Sequence, residues 1–152
     1  MVIIRKALIK DAKEIYSLLA LFAKKNLLLL RPLNYIYENI RDFWVCEKNG
    51  KIIACCSLHI VGWQNLAEIK SLAVKPKWQK KGIGKELVNK CLKEAKTLGV
   101  RKVFALTYAP QFFKKLKFEK TEKSSLPNKI WSECVNCPYF PDCKETALII
   151  KI

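Results

Sequence analysis

Hydrophobic and polar positions follow two periods along the chain, and each switch of period marks an element. Val2 to Lys6 reads as a short strand. Asp11 with Glu14 has the capping-box spacing of a helix start, and Ile15, Leu18, Leu19 and Phe22 then recur at helical intervals. A second helix follows Pro32, with Leu33, Ile36, Tyr37 and Ile40 on one face. Phe43 to Glu47 and Lys51 to Ile60 read as two strands of a hairpin. The Asn49-Gly50 pair between them suits a type I′ turn, which needs two residues tolerant of positive φ. Leu66 to Val74 is a further strand, ending before Pro76.

Gly82 opens a long helix striped by Ile83, Leu87, Val88, Cys91, Leu92, Ala95 and Leu98, and Gly99 stops it. Arg101 to Tyr108 is a buried strand, Pro110 starts a short helix, and Phe118 to Lys123 and Thr146 to Ile152 close the pattern as strands. Between the last two, residues 124–145 hold three prolines and three cysteines and predict an irregular loop. The order is mixed α/β (α+β): a mostly antiparallel sheet of about six or seven strands flanked by about four helices.

A chain of 152 residues, 51% hydrophobic, fits one domain spanning 1–152 with a sizeable core. The longest apolar runs, Leu18 to Ala23 and Leu27 to Leu30, are too short to cross a bilayer, and Met1 to Lys6 has no signal-peptide character. The expectation is a cytoplasmic protein with no membrane partner. The net charge of +16 favours anionic partners, although lysines that merely solvate helix faces give the same number. Without an export signal, seven cysteines suggest thiols or metal ligands and not disulfides. Cys46, Cys55, Cys56 and Cys91 fall in apolar patterns. Cys134-x-x-Cys137-x5-Cys143 has a knuckle start, yet lacks a nearby fourth ligand, so packed thiols are preferred to a metal site.

The segment that carries chemistry runs from Glu68 to Gly84. A strand ends in a tight turn, and a helix begins at Gly82-x-Gly84. The first amides of a helix lack internal partners and carry the positive end of its dipole, so such a turn accepts an anion. Glycines let the backbone approach a diphosphate, and Lys80, Lys81 and Lys85 add charge. A plain tight turn reads the same way. Neither the P-loop nor the dinucleotide fingerprint is present.

Gln79-x-x-Gly82-x-Gly84 after Ile69-x-x-Leu72-Ala-Val74, together with Phe112-Phe113-Lys-Lys-Leu-Lys-Phe118, resembles the Gcn5-related N-acetyltransferases (GNAT). More narrowly, Arg31 with Tyr37-Glu-Asn-Ile-Arg-Asp-Phe43, Leu66 to Val74, Phe104 to Tyr108 and Leu126-Pro-x-Lys-x-Trp131 resemble stand-alone amino-acid N-acetyltransferases of the N-acetylglutamate synthase type. The resemblance implies a sheet splayed at the coenzyme, acetyl-CoA as cosubstrate, and direct acetyl transfer to an amine. A homodimer is also compatible with it.

In that fold Glu68 stands where a general base is placed, although a salt-bridged strand glutamate is the plain alternative. The Leu72 amide would face the thioester carbonyl, and Ala73 and Val74 would pair with pantetheine. Gln79, Lys80, Lys81, Gly82, Ile83, Gly84 and Lys85 would form the diphosphate turn. Phe113, itself a candidate coenzyme contact, occupies the place of a commonly used acid tyrosine, which leaves Tyr108 as the nearest hydroxyl for the departing thiolate, a buried structural tyrosine being the plain alternative. Lys117 replaces the usual glycine of that segment, so a different local turn is expected there. Arg31, Lys70 and Lys129 are candidates for the acceptor's carboxylates, arginine offering a two-pronged contact that lysine lacks, while each also reads as a solvated surface cation.

The acceptor so implied is an amino acid, L-glutamate first. Glutamine, another amino acid, a polyamine or a protein amine are alternatives that keep the chemistry. A basic nucleic-acid-binding module is a rival of another class, weakened by the scatter of Trp44, Trp63, Trp78 and Trp131 along the chain.

Overall fold

The computed structural model describes residues 1–63, 65–126, 136–137 and 144–152. The strands are β1 (Val2–Lys6), β2 (Phe43–Lys48), β3 (Lys51–Ile60), β4 (Leu66–Val74), β5 (Lys102–Thr107), β6 (Glu119–Thr121) and β7 (Thr146–Lys151). The helices are α1 (Ala12–Ala23), α2 (Leu33–Glu38), α3 (Ile83–Thr97) and α4 (Pro110–Lys115). The seven strands hydrogen-bond in the order β1-β2-β3-β4-β5-β7-β6. β4 and β5 run parallel, with Leu66, Ala67 and Glu68 opposite Lys102, Val103 and Phe104. The β1–β2, β2–β3, β5–β7 and β6–β7 pairs are antiparallel. This is the mixed, mostly antiparallel sheet that the pattern predicts.

The chain divides into two compact units, Met1–Leu58 with Ile69–Lys93, and His59–Glu68 with Glu94–Ile152. The first unit has a core of Ile15, Leu19, Ile36, Phe43, Val45 and Ile52, among others, each at most 2% exposed. Leu33, Tyr35 and Tyr37 of α2 and Ile40 just beyond it pack against it half-buried, so Tyr35 adds a contact outside the one face that the periodicity predicts. The β2–β3 hairpin turns at Asn49 and Gly50, with φ of 51° and 76°, the signs a type I′ turn needs. The second unit closes around Val61, Leu66, Phe104, Leu126 and Ala147.

Three local expectations are corrected. Asp11 and Glu14 form no capping box. A 3-10 turn at Ile9–Asp11 precedes α1, and the Asp11 side chain makes no cap bond to that helix. Its carboxylate instead accepts the Leu8 N–H at 2.7 Å and both guanidinium arms of Arg5, at 2.7 and 3.1 Å. Arg5 reaches Glu47 as well, at 2.7 Å, while Glu14 accepts the Ile52 N–H at 3.0 Å. Charged and backbone donors from neighbouring strands outcompete the local cap. Leu98, placed on the core stripe of α3, is 61% exposed. The helix has already ended at Thr97, and the Val100 N–H bonds back to the Ala95 carbonyl across Gly99, whose φ is +88°. Lys117 does not change its turn: it takes φ of 76°, the glycine conformation, and the Phe118 N–H closes on the Phe113 carbonyl at 3.1 Å.

Candidate active site

The glycine turn lies in the first unit, between β4 and α3. A 3-10 turn at Pro76–Trp78 follows β4, and the Gln79 side-chain amide donates to the Val74 carbonyl at 2.9 Å, bracing the loop against the strand that feeds it. Lys80 and Gly82 both have left-handed backbone, φ of 61° and 84°. A Cβ built on Gly82 meets nothing within 4 Å, so the glycine is set by backbone conformation and fronts open space. The first helical hydrogen bond of α3 runs from the Glu86 N–H to the Gly82 carbonyl at 3.0 Å. The amides of Ile83, Gly84 and Lys85 precede it, as orphan donors of a helix start do. Lys80, Lys81 and Lys85 are exposed around this mouth, whereas the Ile83 side chain is buried beneath it. An anion with several oxygens fits this arrangement electrostatically.

β4 supplies the next group of residues. Ser71 takes φ of 56° in mid-strand, a conformation that breaks the pleat, and Lys70 to Leu72 are all half-buried after four buried residues. Its carbonyl accepts the Cys55 thiol at 3.3 Å. The irregularity re-aims the backbone next to Leu72, the residue assigned to the thioester carbonyl; Ala73 is buried and Val74 half-buried. Sequence reading missed Ser71, because an αL serine inside a strand has no compositional signal.

Two of the three candidate carboxylate-binding cations lie over the same aromatic ring. The Arg31 guanidinium carbon lies 5.2 Å from the centre of the Tyr35 ring, and the Lys70 ammonium lies 5.3 Å from the same centre. Tyr35 thus gathers residues from before α2 and from β4 within one unit. It was not among the sequence candidates; its position four residues after Arg31 is the one hint the sequence offers. Lys129 lies outside the described residues, as do Cys134 and Cys143. Cys137 is a half-buried thiol.

Glu68 sits in the second unit on the paired part of β4, 4% exposed. Tyr108 follows β5 and is 47% exposed. Phe113 is buried in α4, edge-on to Phe112 and to Phe118 with ring centres 5.1 Å apart in both pairs, so its ring packs the segment. The strand cysteines behave as buried apolar residues: burial pushes the Cys55 thiol up to about 12, and Cys56 contacts Cys91 at 3.7 Å. No group of three or more potential metal-ligating side chains occurs among the described residues.

Residues 8–118 match the profile of the acetyltransferase (GNAT) family, which covers well over half of the chain. The chain belongs to that family. Among its relatives, an uncharacterized N-acetyltransferase from Chlorobaculum tepidum is 38% identical over 96% of this chain and 94% of its own length. An amino-acid acetyltransferase from Mycobacterium tuberculosis is 33% identical over 86% of this chain and 76% of its own. Solved GNAT structures share the fold. A Mycobacterium tuberculosis protein in complex with CoA superposes with a TM-score of 0.84 at 28% identity, each chain covering 99% of the other. N-acetylglutamate synthase from Neisseria gonorrhoeae gives a TM-score of 0.90 at 24% identity, covering 99% of this chain and 35% of that one. This GNAT chain is accordingly an N-acetyltransferase, and the GNAT resemblance of its two motifs holds.

Proposed function

We propose that this acetyltransferase moves the acetyl group of acetyl-CoA to the α-amino group of an amino acid, L-glutamate first, a reaction that opens arginine biosynthesis. One observation carries the acceptor: Arg31 and Lys70 each lie over the Tyr35 ring, 5.2 and 5.3 Å from its centre, within one unit. A pair of cations held together favours an acceptor with two carboxylates and repels a polyamine. The amino-acid acetyltransferase among the relatives supports the same class, and the CoA bound by the related Mycobacterium tuberculosis protein supports the coenzyme.

In this reading the diphosphate of acetyl-CoA rests on the amides of residues 82–85, with Lys80, Lys81 and Lys85 around it and Gln79 holding the loop. Ala73 and Val74 pair with pantetheine, and the Leu72 amide faces the thioester carbonyl as it gains negative charge. Glu68 takes a proton from the substrate ammonium, directly or through water. The free amine attacks the carbonyl carbon, the C–S bond breaks, and the nitrogen gives a further proton to water to leave the neutral amide. Tyr108 is the hydroxyl assigned to protonate the leaving thiolate. Lys129 is a third cation for the acceptor, and the locale is the cytoplasm.

A thiol-release assay across the twenty amino acids tests the proposal. Turnover is expected with L-glutamate well above all others, and Glu68→Gln is expected to lower it about 100-fold or more, the scale of a lost general base. Equal turnover with lysine or a neutral amino acid would reject the acceptor, and an unaffected Glu68→Gln variant would remove Glu68 from the chemistry.

A further inference from the structure

Cys55 lies on β3 opposite Val45 of β2 and is 0% exposed. Its sulfur meets β4 at the kink. The thiol donates to the Ser71 carbonyl at 3.3 Å, and Ser71 is the residue with φ of 56°. Burial pushes this thiol up to about 12, so it keeps its proton at neutral pH and remains a donor; the Ala73 backbone N–H bonds to the same sulfur and pulls the other way. One sulfur therefore touches the peptide groups on both sides of Leu72. Cys55 and Ala73 belong to the core of the first unit, away from the water that would compete for a weak S–H donor.

Peptide geometry turns this contact into an aim. The Ser71 carbonyl and the Leu72 N–H belong to one planar group, and in a trans peptide they point in opposite directions. A thiol that holds the carbonyl toward β3 holds the N–H away from it. Left-handed backbone is unfavourable for a serine and persists where the surroundings fix it. The grip from β3 is such a constraint.

We infer that Cys55 is a positioning residue for acetyl transfer, whose thiol holds the Ser71 carbonyl and thereby aims the Leu72 N–H at the thioester. The inference rests on the role proposed above for the Leu72 amide and adds the residue that orients it. Cys55 is closed to substrate and coenzyme, and it acts through β4.

Two small substitutions separate aiming from packing. Cys55→Val fills the site without a donor, whereas Cys55→Ser supplies a donor but puts a hydroxyl into the core. The acceptor is the amino acid that turns over fastest in the thiol-release assay. The kcat of Cys55→Val is expected to fall roughly tenfold to a hundredfold, the range for a displaced or lost oxyanion donor. Its Kd for CoA, which has no thioester carbonyl, should stay within about twofold of wild type, and its melting temperature close to it. Cys55→Ser should run several-fold faster than Cys55→Val although it is the less stable of the two. A residue that only packs gives the opposite order. Undiminished kcat in Cys55→Val, a Cys55→Ser variant as slow as Cys55→Val, or rates that follow the melting temperatures would each overturn the assignment. A crystal structure of the wild type with acetyl-CoA keeps the two readings apart. If the thioester oxygen lies away from the Leu72 N–H, the role of that amide fails and the role of Cys55 with it. If the oxygen lies at the Leu72 N–H and the variants fail the comparison, Cys55 alone is withdrawn.

Discussion

Arg5 holds the carboxyl of Asp11 below its ordinary value of 3.8, first through hydrogen bonding and then through charge, with the Leu8 amide adding to it. The Asp11 side chain is 4% exposed and joins β1 to the start of α1, while the same guanidinium reaches Glu47 on β2. A carboxyl depressed in the folded state stabilises the fold fully above its unfolded value. That contribution disappears as pH falls through the lower folded value. Thermal stability, followed by circular dichroism, should therefore be insensitive to this group at neutral pH and fall below about pH 4. Asp11→Asn should flatten that acid limb and cost about 2–3 kcal/mol at pH 7, the scale of lost hydrogen bonds to a charged group. An unaltered acid limb in the variant would show that the pair does not contribute. This network was not legible in the sequence, and of the Tyr35 cluster only Arg31 and Lys70 were, through the family resemblance. Each joins residues far apart in the chain, and the Asp11–Glu14 spacing pointed to a local cap instead.

At the scale of elements, the sequence pattern served well where the signal is local. The β1, β3 and β4 boundaries agree with their apolar runs, and Asn49-Gly50 forms the turn its residues favour. The glycine turn before α3 was legible because it consists of one short segment: strand, loop, Gly82, helix. Leu98 misled because periodicity carries no information on where a helix stops relative to the core. Lys117 is the instructive case. A non-glycine residue ends α4 in left-handed backbone, a conformation that costs roughly 1–2 kcal/mol for L-residues. Relief of that strain is partly offset by the greater freedom of an unfolded glycine. Lys117→Gly should thus raise stability by about 0.5–1 kcal/mol in urea unfolding, with no change in slope. A destabilised variant would mean that the lysine side chain makes contacts worth more than the strain.

For the whole molecule, the net charge of +16 suits anionic partners such as a coenzyme diphosphate. Lys6 and Lys90 lie over the Trp44 ring at 5.1 and 5.8 Å, and Lys48 and Lys77 lie over Trp78 at 4.7 and 5.9 Å. These aromatic faces are occupied by the protein's own cations, whereas single-strand binding needs them open for base stacking. No helix among the described residues is long and apolar enough to span a bilayer. In the proposed reaction one chain holds a coenzyme diphosphate at the mouth of α3 and a dicarboxylic amino acid at Arg31 and Lys70. A crystal structure with CoA and N-acetyl-L-glutamate tests it most directly. The diphosphate is expected within hydrogen-bond distance of the amides of residues 82–85, and a product carboxylate within reach of Arg31 or Lys70. Density for the coenzyme elsewhere, or a product bound without either cation, would contradict it.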